Sequence, residues 1–219
     1  KQEAPKEKKA PAAAKKQPPA TPKAAPAPSP APTPAPAPTT TEAPTSVFDA
    51  PNVDLVYGAY QRGMYKTAFD LATTRAQFNG DPKAMTMLGE LHANALGVKR
   101  DYAKAAEWYK RAADAGDREA MFALAMMRIS GRGGVTNREE AVKLLASSAK
   151  LGNPKAAYNL ALLYLDGQTL PQDVRRAAEL LRVAADAGNP EAQYALATFY
   201  KEGTGVEKDA EKAVRLLQA

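Results

Sequence analysis

The sequence predicts an all-α fold, an α/α superhelical solenoid of helix-pair repeats, preceded by a disordered Pro/Ala/Lys-rich tail. Three observations predict it. Turns of glycine followed by an acid or amide recur every 36 residues, at Gly80-Asp81, Gly116-Asp117, Gly152-Asn153 and Gly188-Asn189. Apolar positions keep the same step, as in Ala84, Ala120, Ala156 and Ala192, or Leu88, Leu124, Leu160 and Leu196. The first 46 residues hold 13 of the 18 prolines and almost no large apolar side chain before Val47-Phe48. A period of this size is the signature of stacked supersecondary units. Such arrays mostly work by presenting a surface.

Each unit reads as two helices. The first opens at the acid or amide after glycine, a residue type that caps free N–H groups, with proline next in three of the four turns. The glycine suits the left-handed residue that closes the preceding helix. Leu88 with Leu91, and Leu124 with Met127, step as a buried stripe does. Loops carrying Gly97, Gly131 with Gly133, Gly167, or Gly203 with Gly205 then interrupt the pattern.

The second helix starts at Asp101, Asn137, Asp173 and Asp209, each a capping residue, and Asn137 with Glu140 has the spacing of a capping box. Its inner face is Ala105, Trp108, Tyr109, Ala112, Ala113, with Leu144, Leu145, Ser148 and then Leu180, Leu181, Ala184 at matching places. Small residues at the ends and large ones between let neighbouring helices approach closely.

Upstream, a short helix near Val56 to Arg62 and a second carrying Ala68, Leu71, Ala72 and Ala76 form a degenerate capping half-repeat, with Phe48, Val53 and Leu55 over its open end. The organisation is therefore a linker at 1–46, the cap at 47–83, and repeats at 84–119, 120–155, 156–191 and 192–219. The last helix ends just after Leu216 and Leu217, so we expect the natural protein to continue with further repeats.

The residues from Ala84 to Ala120 carry Leu88-Gly89, Gly97-Val98, Asp101, Lys104-Ala105, Trp108-Tyr109, Ala112-Ala113 and Gly116-Asp117. This pattern resembles the Sel1-like repeat, a TPR-like unit, over about residues 54–219. Ala125, Ala161 and Ala197 depart from its first glycine, and His92 and Arg128 from the aromatic kept at Tyr164 and Tyr200. The resemblance implies an α/α superhelix and adaptor roles in bacterial envelope and signalling complexes.

The tail is of different composition. Seven lysines against Glu3, Glu7 and Glu42 give it a net charge of +4, whereas the remainder has 23 basic and 21 acidic residues. Such a composition cannot build a core and is expected to be disordered or partly polyproline II. A Pro/Ala stretch of roughly 28 residues at about 3.1 Å each reaches on the order of 90 Å. We read it as a solubilising spacer whose lysine-rich end makes at most weak contact with anionic polymers, such as lipid headgroups or wall polymers. Aromatic residues are absent among the lysines, which argues against specific nucleic-acid binding.

There is no initiator methionine and no apolar run of transmembrane or signal-peptide length. The expectation is a processed piece of a periplasmic or cell-envelope protein, with its signal or anchor upstream of Lys1. The absence of cysteine excludes disulfides without choosing a compartment, and separates this chain from the cysteine-rich Sel1-like proteins linked to β-lactam binding.

Catalytic signals are poor, and no cofactor or metal is expected. His92 is the only histidine and occupies the repeat's aromatic position, where packing explains it. Ser147-Ser148-Ala149-Lys150 matches an acylation motif, but late in a repeat helix and without its companion motifs. Gly131-Arg132-Gly133-Gly134 lacks the strand and the Gly-Lys-Ser/Thr of a phosphate loop.

The informative chemistry lies on the first helices, opposite the buried stripe. Phe122, Met126 and Ile129, then Tyr158, Leu162 and Leu165, then Tyr194 share that side, which lines the inner curve of an α/α superhelix. At the first repeat the same side is Thr86, Glu90 and Ala93, and at the fourth it ends in Thr198 and Lys201. An apolar middle with polar ends suits a partner helix or extended peptide. The expected function is a non-enzymatic adaptor that binds a protein or peptide there. The alternatives are a protein binding or hydrolysing cell-wall fragments, for which Glu90, Arg128 and Asp166 would have to converge, and a tether acting through its basic tail.

Overall fold

A computed structural model describes residues 54–218. The tail reading, and Phe48 and Val53 as cover for the cap, fall outside the described residues. Ten helices follow in order: α1 (Leu55–Gln61), α2 (Tyr65–Phe78), α3 (Pro82–Asn94), α4 (Tyr102–Asp114), α5 (Arg118–Ser130), α6 (Arg138–Lys150), α7 (Pro154–Asp166), α8 (Val174–Asp186), α9 (Pro190–Glu202) and α10 (Ala210–Gln218). No strand occurs among the described residues. Substantial packing runs only between consecutive helices, within each hairpin and from one hairpin to the next. This is the solenoid the period predicts.

Local chemistry sets the helix ends. Asp81, Asp117, Asn153 and Asn189 are the N-caps of α3, α5, α7 and α9, and each side-chain oxygen accepts from backbone N–H groups in the first turn. Asp101, Asn137, Asp173 and Asp209 cap α4, α6, α8 and α10 in the same way, each accepting from the N–H three residues on. These bonds satisfy donors that the helix itself leaves free. At Asp101 and Asp209 the backbone N–H groups of Lys104 and Lys212 hold the carboxyl below its usual range.

The capping box expected at Asn137 and Glu140 is only half made. Asn137 accepts from the Glu140 N–H, but the Glu140 carboxylate does not turn back to it. It accepts instead from Arg128 Nε of α5 at 2.8 Å, and the Asn137 N–H donates to the Arg128 carbonyl. The bond to Arg128 pairs two opposite charges within the hairpin, whereas a return bond to the cap would pair the carboxylate with a neutral N–H already donated to a carbonyl.

The core repeats with the sequence. Leu88, Leu124, Leu145, Leu181 and Leu196 are at most 2% exposed, and alanines such as Ala105, Ala141, Ala156 and Ala177 let the helices close on one another. Each buried leucine contributes roughly 1.5–3 kcal/mol from area removed from water. Trp108, expected on the inner face, is half-buried and lies beneath the Arg111 guanidinium at 4.4 Å. Gly89 is required by its neighbour: a Cβ there would meet the Tyr109 ring at 2.6 Å. In the next two repeats Ala125 shares a cluster with Leu145, and Ala161 with Leu181. The departures from the glycine are thus matched by a smaller residue across the hairpin.

Candidate partner-binding face

The seven expected site residues stand on α5, α7 and α9, and the structure divides them by burial. Phe122 and Ile129 are half-buried against the cluster of Ala125, Leu145 and Leu160. Tyr158 and Leu165 are half-buried against Ala161, Leu181 and Leu196. Met126 is half-buried, whereas Leu162 is 40% exposed and Tyr194 69% exposed. The first four therefore contribute to packing between repeats as well as offering an edge to solvent. Leu162 and Tyr194 are the largest exposed apolar side chains of the set.

Toward α1 the character changes. A cavity of about 430 Å³ is lined by Val56, Thr86, Met87, Glu90, Asp117 and Glu119, among others. Most of its acidic groups are already engaged. The Tyr60 hydroxyl donates to Glu90 at 2.6 Å, a bond that together with burial pushes the phenol up to about 12. Thr86 donates to Asp117, which also caps α5, and Arg75 joins Asp54 and Asp81.

Glu90, Arg128 and Asp166 do not form one site. Glu90 is committed to Tyr60 and Arg128 to Glu140. Asp166 lines a different, smaller cavity of about 120 Å³, together with Ile129, Arg138, Leu163, Gln168 and Thr169. Four of these residues, Arg138, Leu163, Gln168 and Thr169, were not among the expected site residues. A signal existed: Thr169 interrupts the 36-residue series Gly97, Gly133, Gly205.

The remaining candidates take structural places. His92 is buried, its ring edge-on to Phe69 at 5.6 Å, and burial pulls its basicity down. Ser148 is buried and donates to the Arg118 carbonyl at 2.7 Å, while Ser147 and Lys150 of the same motif are exposed. Gly131 ends α5 in a left-handed conformation. Among the described residues no His, Cys, Asp or Glu group is gathered to hold a metal ion, and no helix is long and apolar enough to cross a membrane.

Capped helical hairpins packed in series, with apolar side chains left on the first helices, define an α/α solenoid of helix-pair repeats. The Sel1 repeat pattern matches residues 82–117, 118–153, 154–189 and 190–219, more than half of the chain, and the protein belongs to the Sel1 repeat family. Members of this family generally mediate protein–protein interactions.

Among solved structures, a Sel1 repeat protein from Oxalobacter formigenes is 29% identical, with a TM-score of 0.67 over 74% of this chain and 66% of its own. A protective antigen present in uropathogenic Escherichia coli strains, with an SLR fold, is 24% identical at a TM-score of 0.65, over 74% of this chain and 37% of its own. An immunity protein from Pseudomonas aeruginosa is 21% identical at a TM-score of 0.50, over 75% of this chain and 64% of its own. The last two similarities concern the fold alone. The chain thus spans at most about two thirds of these relatives' length. No curated protein matches it.

Proposed function

We propose that the protein is a non-enzymatic adaptor of the bacterial cell envelope that binds a peptide or partner protein along the face formed by Phe122, Met126, Ile129, Tyr158, Leu162, Leu165 and Tyr194. One observation carries the reading: large apolar side chains stay partly or mainly exposed on consecutive first helices, with Leu162 at 40% and Tyr194 at 69%. Leaving such groups in water costs about 25 cal/mol per Å² of apolar area, which a partner would recover. The lysines of the tail make a weaker contact with anionic polymers.

The test is the double substitution Met126→Glu with Leu162→Glu. Partner capture should be abolished while helical circular dichroism persists, since both residues lie outside the fully buried core. Undiminished capture refutes the assignment. Deleting residues 1–46 separates the adaptor from a tail-based tether. An adaptor keeps its partner after the deletion, and a tether loses it.

A further inference from the structure

The third repeat breaks a rule that the others keep. In those, the loop between the two helices places a glycine against the first residue of an earlier second helix. A Cβ on Gly205 would meet the Val174 carbonyl oxygen at 2.7 Å, and one on Gly97 would meet the Tyr65 carbonyl carbon at 2.7 Å. One on Gly133 would overlap the Tyr102 carbonyl oxygen. All three glycines have positive φ, between 69° and 74°. The equivalent residue is Thr169, and the backbone it would have to approach belongs to Arg138, the first residue of α6. Threonine carries the Cβ that this contact excludes and disfavours the left-handed conformation. A cavity of about 120 Å³ lies at this place, bounded by Arg138 and Thr169 together with Ile129, Leu163, Asp166 and Gln168.

We propose that this cavity is a specificity pocket that takes one leucine, isoleucine or methionine side chain of the bound peptide. The inference rests on the adaptor reading and deepens it. The pocket adjoins the proposed face through Ile129, which belongs to both. Its size decides the residue class. A cavity of about 150 Å³ holds a benzene molecule, so about 120 Å³ suits a four-carbon aliphatic group and is too small for an indole. Its charges decide the rest. Arg138 and Asp166 supply one charge of each sign, which gives an acidic or basic side chain no net advantage. Ile129 and Leu163 give an aliphatic group apolar contact, and the Gln168 amide, Arg138 and Asp166 can meet the peptide's backbone groups.

The experiment is selection of a phage-displayed random dodecapeptide library on the full chain, followed by titration of fluorescein-labelled selected peptides. The expected result is peptides that share one Leu, Ile or Met and whose binding disappears with Met126→Glu/Leu162→Glu. Thr169→Gly, which permits the loop to close on Arg138, and Leu163→Phe, which fills the cavity, should each weaken binding about tenfold, roughly 1.4 kcal/mol. Thermal melts confirm that each variant is folded.

Binding that needs Met126 and Leu162 but is unchanged in both Thr169→Gly and Leu163→Phe overturns the pocket and leaves the adaptor reading standing. So does a selected set without the shared aliphatic residue. Peptides indifferent to Met126→Glu/Leu162→Glu, or a library that yields no binder, overturn the adaptor reading itself.

Discussion

At the scale of single residues, the fold depends on size matching across each hairpin. Gly89 and Tyr109 are one matched pair, and Ala125 with Leu145 is its counterpart one repeat later. Gly89→Ala would drive a methyl into a ring only 2.6 Å away and should destabilise by about 1–3 kcal/mol, as overpacking does. Adding Tyr109→Leu recreates the pair already used in α5 and α6 and should recover most of the loss. A urea-melt double-mutant cycle reads the coupling, and additive losses would show that the two sites are independent. His92 is the second residue-scale case. Its Nδ1 is buried without a partner, and burial, reinforced by the nearby Lys104, keeps the ring less basic than usual; Asp101 partly opposes this. The unfolded chain therefore takes up a proton near pH 6.5 that the folded chain refuses. Stability from this residue is complete above that pH and is lost as pH falls through the lower folded value. His92→Tyr installs the residue found in register at Tyr164 and Tyr200. Between pH 7 and pH 5 the parent's melting temperature should fall further than the variant's, and parallel curves would discount the histidine.

At the scale of elements, the junction of α5, α6 and α7 shows how one repeat is fastened to the next. Asn153 caps α7 through Oδ1 and is only 1% exposed, while its Nδ2 donates to Glu119 at 3.1 Å. Ser148 of α6 donates to the Arg118 carbonyl in the first turn of α5. Asn153→Ala removes the cap and leaves buried polar groups without partners, so it should cost about 2 kcal/mol. Asn153→Asp, the residue used at Asp117, keeps the cap but places a carboxylate beside Glu119 and should recover only part of that loss. Equal stability of the alanine variant and the parent would remove this junction from the account. The caps themselves were legible in the sequence because a capping oxygen acts within three residues of its own position, so the 36-residue step exposes every one. Glu140 was not legible, because its choice of Arg128 over Asn137 depends on a residue 12 positions away brought close by the hairpin. The partner-binding face was legible only as a side of a helix. Phe122, Tyr158 and Tyr194 occupy one register, yet Tyr194 is 69% exposed while the other two are half-buried. Register fixes direction and says nothing of what stands opposite. The pocket beside Thr169 needed both the broken glycine series and the position of Arg138.

At the scale of the whole repeat array, packing between consecutive helices makes stability a sum of local and nearest-neighbour contributions. The consequence is a gradient along the chain rather than one uniform barrier. Leu145, Leu181 and Leu217 occupy the same place in α6, α8 and α10, but the first two are fully buried and the third is 60% exposed. Val214 is 52% exposed where Ala178 is 2% exposed. Within these 219 residues α10 packs substantially on α9 alone, whereas α8 packs on both α7 and α9. Leu181→Ala should therefore cost about 2–5 kcal/mol, as cavity-forming substitutions in a packed core do. Leu217→Ala removes the same atoms from a mostly solvated site and should stay within about 1 kcal/mol. Hydrogen exchange on the parent chain supplies the independent check. Amides in α4, α6 and α8 should exchange only through large openings, whereas those of α10 should exchange through local fraying, several orders of magnitude faster. The arrangement predicts one further asymmetry: Leu217→Ala should leave the protection of α4 unchanged, because no direct contact carries its loss across three hairpins. Equal costs for the two leucine substitutions, or a drop in α4 protection on changing Leu217, would mean that the repeats open together and that the nearest-neighbour description is wrong.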